Sequence, residues 1–255
     1  MVNDKWLMIN LNNNDMKNIL VYCIIASLFL TSCMSALNNK IAGNGDVSIE
    51  ERTVTPFDEI DIDGVFKVYL TQGDTEKVEV EIDENLQQYV KVFNKGNTLV
   101  LDIEKGINWG KTVKNNVYIT LKNINKLSID GVCSVQTNTI LICDHLKLDI
   151  DGVSSSSLEL KCNRLVADLS GVGSSELSGE ANEFTVSKDG VGSLKARNLI
   201  AAIVNISNSG VGSAEIYASQ ELSMKNSGVG SITYYGEAVI KSMDSSGVGK
   251  IRKAD

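Results

Sequence analysis

The sequence predicts an all-β, single-domain fold, a parallel β-helix in which the chain winds round and lays each coil on the last. Three observations predict it. Gly-Val recurs at Gly131, Gly152, Gly171, Gly190, Gly210, Gly228 and Gly247, at intervals of 21, 19, 19, 20, 18 and 19 residues. Periods near 20 residues mark solenoids, whose repeats bury their apolar faces only against their neighbours. Within each repeat, apolar residues stand at every second place, the period of a strand with one buried face. Five of the seven dipeptides extend to Gly-Val-Gly, and four of these continue with Ser, so coils of about 19 residues share one Gly-rich bend. Leucine-rich repeats have a similar period, but their Leu-x-x-Leu-x-Leu signature is missing.

Composition narrows the classes. The 255 residues carry a net charge of −8, with 43% apolar and 22% charged residues, enough to build a core. An acidic balance argues against nucleic acid, because phosphate binding needs clustered Lys and Arg. A single histidine excludes multi-histidine metal sites and makes imidazole catalysis improbable. No cofactor is implied.

The chain opens on an address. Residues 19–30, ILVYCIIASLFL, form a twelve-residue apolar run behind Met16-Lys17-Asn18. A membrane-spanning helix needs about 20 residues, so the run matches a secretory signal with Lys17 as its positive start. It ends in Leu30-Thr31-Ser32-Cys33, which resembles the lipobox of bacterial lipoproteins. That resemblance implies a signal over 1–32, cleavage before Cys33, and lipidation of Cys33 with acyl chains such as palmitate. Met16 is then the expected start. Two or three acyl chains hold a protein stably on a membrane, where one binds only marginally. Residues 33–45 are small and polar and are expected to form a flexible tether.

The remainder, 46–255, is assigned to the β-helix. Over 46–125 the alternation persists at 57–62, 66–70, 78–82, 99–103 and 117–121, without the glycine signature. Gly64 and Gly131 are 67 residues apart, room for about three coils with longer loops. This part is expected to hold irregular first coils and the cap; a separate small β-sandwich is the alternative.

The regular coils occupy 126–255. Four residues before each glycine stand Leu127, Leu148, Ala167, Val186, Ile206, Met224 and Met243, all apolar and expected inside. Two places earlier come Leu146, Leu165, Phe184, Val204 and Leu222. Nine residues before the glycine, Cys143, Cys162, Ala181, Ala201, Ser219 and Ala238 form a small-residue column where the wall turns. Cys143 and Cys162 are accordingly stacked core residues about 4.8 Å apart at Cα, inside the disulfide range. In-register parallel side chains seldom reach the disulfide torsion, and three mature cysteines cannot all pair. The column glycines are expected at φ > 0 corners, with the following valine packed inside.

Candidate sites arise from the same phasing. Before the glycine stand Asp63, Asp130, Asp151, Ser170, Asp189, Ser209, Ser227 and Ser246. Asp and Ser favour such places because their oxygens bond nearby backbone N–H groups. If Asp130 and Asp151 stack, their separation of roughly 5 Å approaches that of retaining glycosidases, and a weak Ca²⁺ site is a further reading. Gly-Val-Gly-Ser lacks the lysine and helix of a phosphate loop. His145 is expected to face solvent. Trp109, Tyr234 and Tyr235 are candidate sugar-stacking residues, or equally rim and core.

One resemblance gathers these features. The lipobox, then Val54-x-Pro-Phe57-x-x-Ile60-x-Ile62-x-Gly64-Val65-Phe66-x-Val68, then serial Gly-Val-Gly-Ser coils, resembles the head GIN-domain family of auto-transporter adhesins over about residues 44–251. The resemblance implies a right-handed β-helix and a cell-envelope location, and carries no catalytic residues. An auto-transporter also needs a C-terminal membrane barrel, whereas this sequence ends eight residues after Gly247. The expected function is therefore an outer-membrane lipoprotein, facing the periplasm or the surface, that acts as a non-enzymatic binding or adhesin-like module. Its partners would be the membrane, through the lipid, and a glycan or protein ligand. A structural envelope spacer and a polysaccharide-active β-helix enzyme are the alternatives.

Overall fold

Alternation written in the sequence is realised as alternation of burial. In the strand Val153–Leu169, the side chains of Ser154, Ser156, Leu158, Leu160 and Cys162 are buried, and those between them face solvent. The computed structural model describes residues 40–254, and strands of this kind wind into a β-solenoid of about seven turns. The signal over 1–32 and Cys33 lie outside the described residues. Among the described residues no helix is long and apolar enough to cross a membrane.

The coils stack in register by parallel pairing. Leu127 lies beside Leu148, then Ala167, Val186, Ile206, Met224 and Met243 follow coil by coil. All are buried except Met243, 47% exposed, over which no described coil lies. Leu146, Leu165, Phe184, Val204 and Leu222 form a second buried column. One apolar core runs from Phe57 to Ile232.

The small-residue column differs from expectation at one place. Cys143, Cys162, Ala181 and Ala201 stack as predicted, but Ala218 follows Ala201, and Ser219 is exposed. The register between these coils shifts at Ala196/Ile200 and Ala201/Ile203, which moves the inward place by one residue. Ala238 is half-buried.

The largest departure concerns residues 46–125. Three coils were expected between Gly64 and Gly131, yet those glycines lie on adjacent coils. The Val132 N–H donates to the Gly64 carbonyl at 2.7 Å, and the Asp130 N–H to that of Ile62 at 2.9 Å. After the strand Val65–Gln72 the chain doubles back as Lys77–Asp83, antiparallel to both Val47–Arg52 and Asn115–Leu121. A 3-10 helix, Glu84–Tyr89, leads into the hairpin Val90–Lys95/Thr98–Ile103. Thr98–Ile103 and Asn115–Leu121 then lie against the far side of the coil made by Glu59–Ile62 and Val65–Gln72. These residues are thus a coil over 59–72, a further parallel coil over 98–121 outside it, and antiparallel strands that close the end, and they share the solenoid's core through Val78, Val80, Ile82 and Leu86. Solenoids need such a cap because an uncovered first coil exposes both core and strand edge.

Residues 40–45, the described part of the expected tether, belong to the cap. Gly110 N–H donates to the Ile41 carbonyl at 2.9 Å and Gly43 N–H to that of Lys111 at 3.0 Å. The fully buried Asp83 carboxylate accepts from the Gly45 N–H at 2.8 Å and the Val113 N–H at 2.9 Å, clamping the two segments together.

Candidate binding surface

The repeated corner determines what the solenoid shows to solvent. A Cβ on Gly152, Gly171, Gly190, Gly210 or Gly228 would fall 2.0–2.1 Å from the carbonyl oxygen of the column glycine one coil earlier. That same carbonyl accepts the next coil's valine N–H, as from Val172 to Gly152 at 2.9 Å and Val211 to Gly190 at 3.0 Å. Glycine is required here by close approach of backbones. The expected positive φ is not found at this position. It belongs to the second glycine of Gly-Val-Gly, at +146° in Gly173, +150° in Gly192, +115° in Gly212, +140° in Gly230 and +149° in Gly249.

The valine between them was expected inside, and it faces out. Val65, Val132, Val153, Val172, Val191, Val211, Val229 and Val248 stack in register on successive coils. Their exposure runs from 40% at Val65 to 72% at Val248. The reason is strand parity, which continues unbroken through the corner. Residues an even number of places from the glycine are buried on both sides of it, as with Leu148, Ile150, Ser154, Ser156 and Leu158 around Gly152. Valine, one place after, must point outward. The ladder of eight spans roughly 34 Å at the ~4.8 Å coil spacing.

Polar columns flank the ladder. On one side Ser134, Ser155, Ser174 and Ser193 are in register, and the Ser155 hydroxyl donates to that of Ser134 at 3.3 Å. A shallow groove of about 140 Å³ beside them is lined by Gln136, Ser157, Glu176 and Lys195. On the other side runs the exposed Asp/Ser column. There the Ser170 hydroxyl donates to Asp151 at 3.1 Å and that of Ser209 to Asp189, so serine relieves carboxylate repulsion between coils. Partial burial, and then the carboxylates of Asp102, Asp130 and Asp61, hold the Asp63 carboxyl above its ordinary value. Among the described residues, no three His, Cys, Asp or Glu side chains are grouped to hold a metal.

Other candidates are dispersed. Trp109 packs in the cap, edge-on to Phe66 with centroids 5.6 Å apart, so its ring is committed to the core. Tyr234 packs against the core, and half-buried Tyr235 pairs with Tyr217. His145 is exposed, its Nδ1 2.9 Å from Asp144.

Sequence reasoning missed one inner column. Two places before the glycine, Ile62, Ile129, Ile150 and Leu169 give way to Lys188, Asn208 and Asn226, all buried. Lys188 Nζ donates to the Val211 carbonyl at 3.1 Å, Asn208 Nδ2 to Asn226 Oδ1 at 2.8 Å, and Asn226 Nδ2 to the Gly230 carbonyl at 2.9 Å. The signal was a polar residue at an inward place. Two of these side chains are thus satisfied by backbone of the corners, Lys188 at Val211 and Asn226 at Gly230.

Burial lowers the Lys188 pKa, against the smaller opposing influence of Asp189. The unfolded chain therefore binds the Lys188 proton more tightly than the folded chain. Stability from this group should rise with pH between its lowered folded value and 10.5, and its penalty should be constant below that window. In urea unfolding at pH 8 to 11, Lys188→Met should lose that increment relative to the unmutated chain. Parallel pH curves for the two would show that burial does not loosen the Lys188 proton, and would refute the lowered value.

The comparisons with known proteins agree with this architecture. Residues 56–238 match the family model described as putative auto-transporter adhesin, head GIN domain. A crystal structure of a putative adhesin from Bacteroides fragilis is 30% identical, with a TM-score of 0.80, covering 84% of this chain and all of that one. One from Parabacteroides merdae, also a putative adhesin, is 26% identical with a TM-score of 0.68 over 85% of this chain and all of that one. A putative lipid binding protein from Parabacteroides distasonis, 21% identical with a TM-score of 0.65 over 85% of this chain and all of that one, shares the fold. No curated protein matches the chain.

Proposed function

Because the chain belongs to the head GIN domain family of adhesin-like, envelope-associated proteins, we propose that it is a non-enzymatic binding module held on the outer membrane by a lipid on Cys33. The observation that carries this reading is the valine ladder. Outward places on a solvated strand ordinarily hold polar residues, and a single exposed valine needs no explanation. Eight in register form a continuous apolar stripe on the order of 600 Å², the size at which exposed patches mark interaction sites. Serines on one edge and Asp/Ser on the other supply polar groups at the coil spacing, so the face suits an extended glycan or protein segment that touches several coils at once. The lipobox at Leu30–Cys33 supports the anchor.

Replacing Val153, Val172 and Val191 together by Ser tests the ladder. These side chains leave the core untouched, so each change should alter stability by no more than about 0.5 kcal/mol. On glycan and matrix-protein arrays, saturable binding by the parent chain should fall at least tenfold in the triple variant. Undiminished binding would move the site elsewhere. No saturable binding by the parent would favour a structural spacer, and polysaccharide turnover lost in Asp130→Asn or Asp151→Asn would favour an enzyme.

A further inference from the structure

Two of the three described cysteines form a built pair. Cys143 and Cys162 are direct register partners on adjacent coils, and each thiol's protonation is governed first by the other. Neighbouring strands place in-register Cα atoms about 4.8 Å apart, inside the disulfide range of roughly 4.4–6.8 Å. The torsional objection to in-register parallel cysteines is weak at this place. The pairing skips Asp144 and Asn163 immediately after the pair, where the two successive outward residues Asp144 and His145 mark a bend of the wall. A side chain beside a turn has more freedom to reach a χ₃ near 90° than one in the middle of a flat ladder. Both cysteines also line an open groove of about 580 Å³ with Ile142, Lys161, Asn163 and Asn182, so a small oxidant can reach them.

The third cysteine is set apart. Cys133 is buried on another wall, its Sγ 3.5 Å from the Gly64 carbonyl oxygen. Burial pushes its thiol up to about 11, which leaves it almost wholly protonated and unreactive near neutrality. The odd cysteine count thus resolves into one candidate pair and one inert core thiol.

We propose that Cys143 and Cys162 are an oxidation site, joined by a disulfide that staples two adjacent coils when the chain meets a disulfide donor. The Cys143 thiolate attacks one sulfur of the donor and expels the other as a thiolate, forming a mixed disulfide. The Cys162 thiolate then attacks the Cys143 sulfur and expels the second donor thiolate. Two protein thiols are oxidised, the donor is reduced to two thiols, and the two protons pass to the departing sulfurs. The neighbouring Cys162 thiol holds the Cys143 thiol below its ordinary value, which suits Cys143 to the first attack, and the same contact, with burial, pushes Cys162 up. Once Cys143 is capped, that contact no longer retains the Cys162 proton.

The test uses the folded full chain with oxidised glutathione as donor, followed by denaturation, alkylation of free thiols and non-reducing peptide mapping. The expected result is a Cys143–Cys162 linked peptide with Cys133 alkylated. The link closes a loop of 18 residues, so Tm should rise by about 5–10 °C and return on adding dithiothreitol. Cys133→Ser should keep the link and the Tm shift, whereas Cys162→Ala should lose both. Alkylation of both Cys143 and Cys162 after oxidation, glutathione retained on Cys143 without closure, or a link through Cys133 would each overturn the proposal.

Discussion

Gly210→Val is expected to leave no stable solenoid at 37 °C. A Cβ at this position would lie 2.1 Å from the Gly190 carbonyl oxygen, far inside van der Waals contact, and the atom it meets is backbone. That carbonyl already accepts the Val211 N–H at 3.0 Å, while the Gly210 carbonyl accepts the Val229 N–H at 2.9 Å. Relieving the clash means separating coils on both sides of the substitution, with loss of ladder hydrogen bonds and of the core contacts beneath them. The cost should exceed about 4 kcal/mol, in the range reserved for overpacking of a rigid interior. The cause can be isolated. Asn tolerates positive φ better than other side chains, so Gly210→Asn would be mild if conformation were the constraint. Close approach predicts instead that Gly210→Ala and Gly210→Asn are both severe by urea unfolding. A Gly210→Ala chain within about 0.5 kcal/mol of the parent would refute the contact.

Leu148→Asp should be comparably destructive, and Met243→Asp nearly silent, although both residues occupy the same place in the repeat. Leu148 is fully buried, with Leu127 and Ala167 as its register partners and Leu146 and Ile150 on the same inner face. A carboxylate there has no donor or cation among those neighbours, and an unpaired buried charge costs about 3–5 kcal/mol or forces protonation. Met243 stands in the same column but is 47% exposed, so its carboxylate would stay hydrated. Thermal melts followed by circular dichroism at neutral pH should show loss of the cooperative transition for the first variant and a shift within a few degrees for the second. Equal damage from both would mean that something covers the last coil in solution.

That pair also shows how far sequence reasoning reaches. The column from Leu127 to Met243 follows from period alone, because strand alternation and the 18–21-residue interval are local properties of the chain. The same parity, carried through the corner, points the valines outward. The valines were expected inside because each glycine was expected to make a corner of positive φ, whereas the strand alternation runs through it. Met243 differs from Leu148 only through what is stacked above it, which no count along the chain supplies. Trp109 is a similar case: its partner Phe66 is 43 residues away in sequence, and only the cap brings them together.

By itself the sequence determined that the chain coils, where each coil turns, and which side chains alternate inward, because those follow from strand period and the glycines that let backbones approach. The tertiary structure alone decided that Gly131 stacks on Gly64, with residues 77–121 folded outside that contact. The physical reason is that contact between coils is made by long-range hydrogen-bond registers such as Val132 to Gly64, and a register is a relation between distant segments that local periodicity does not contain.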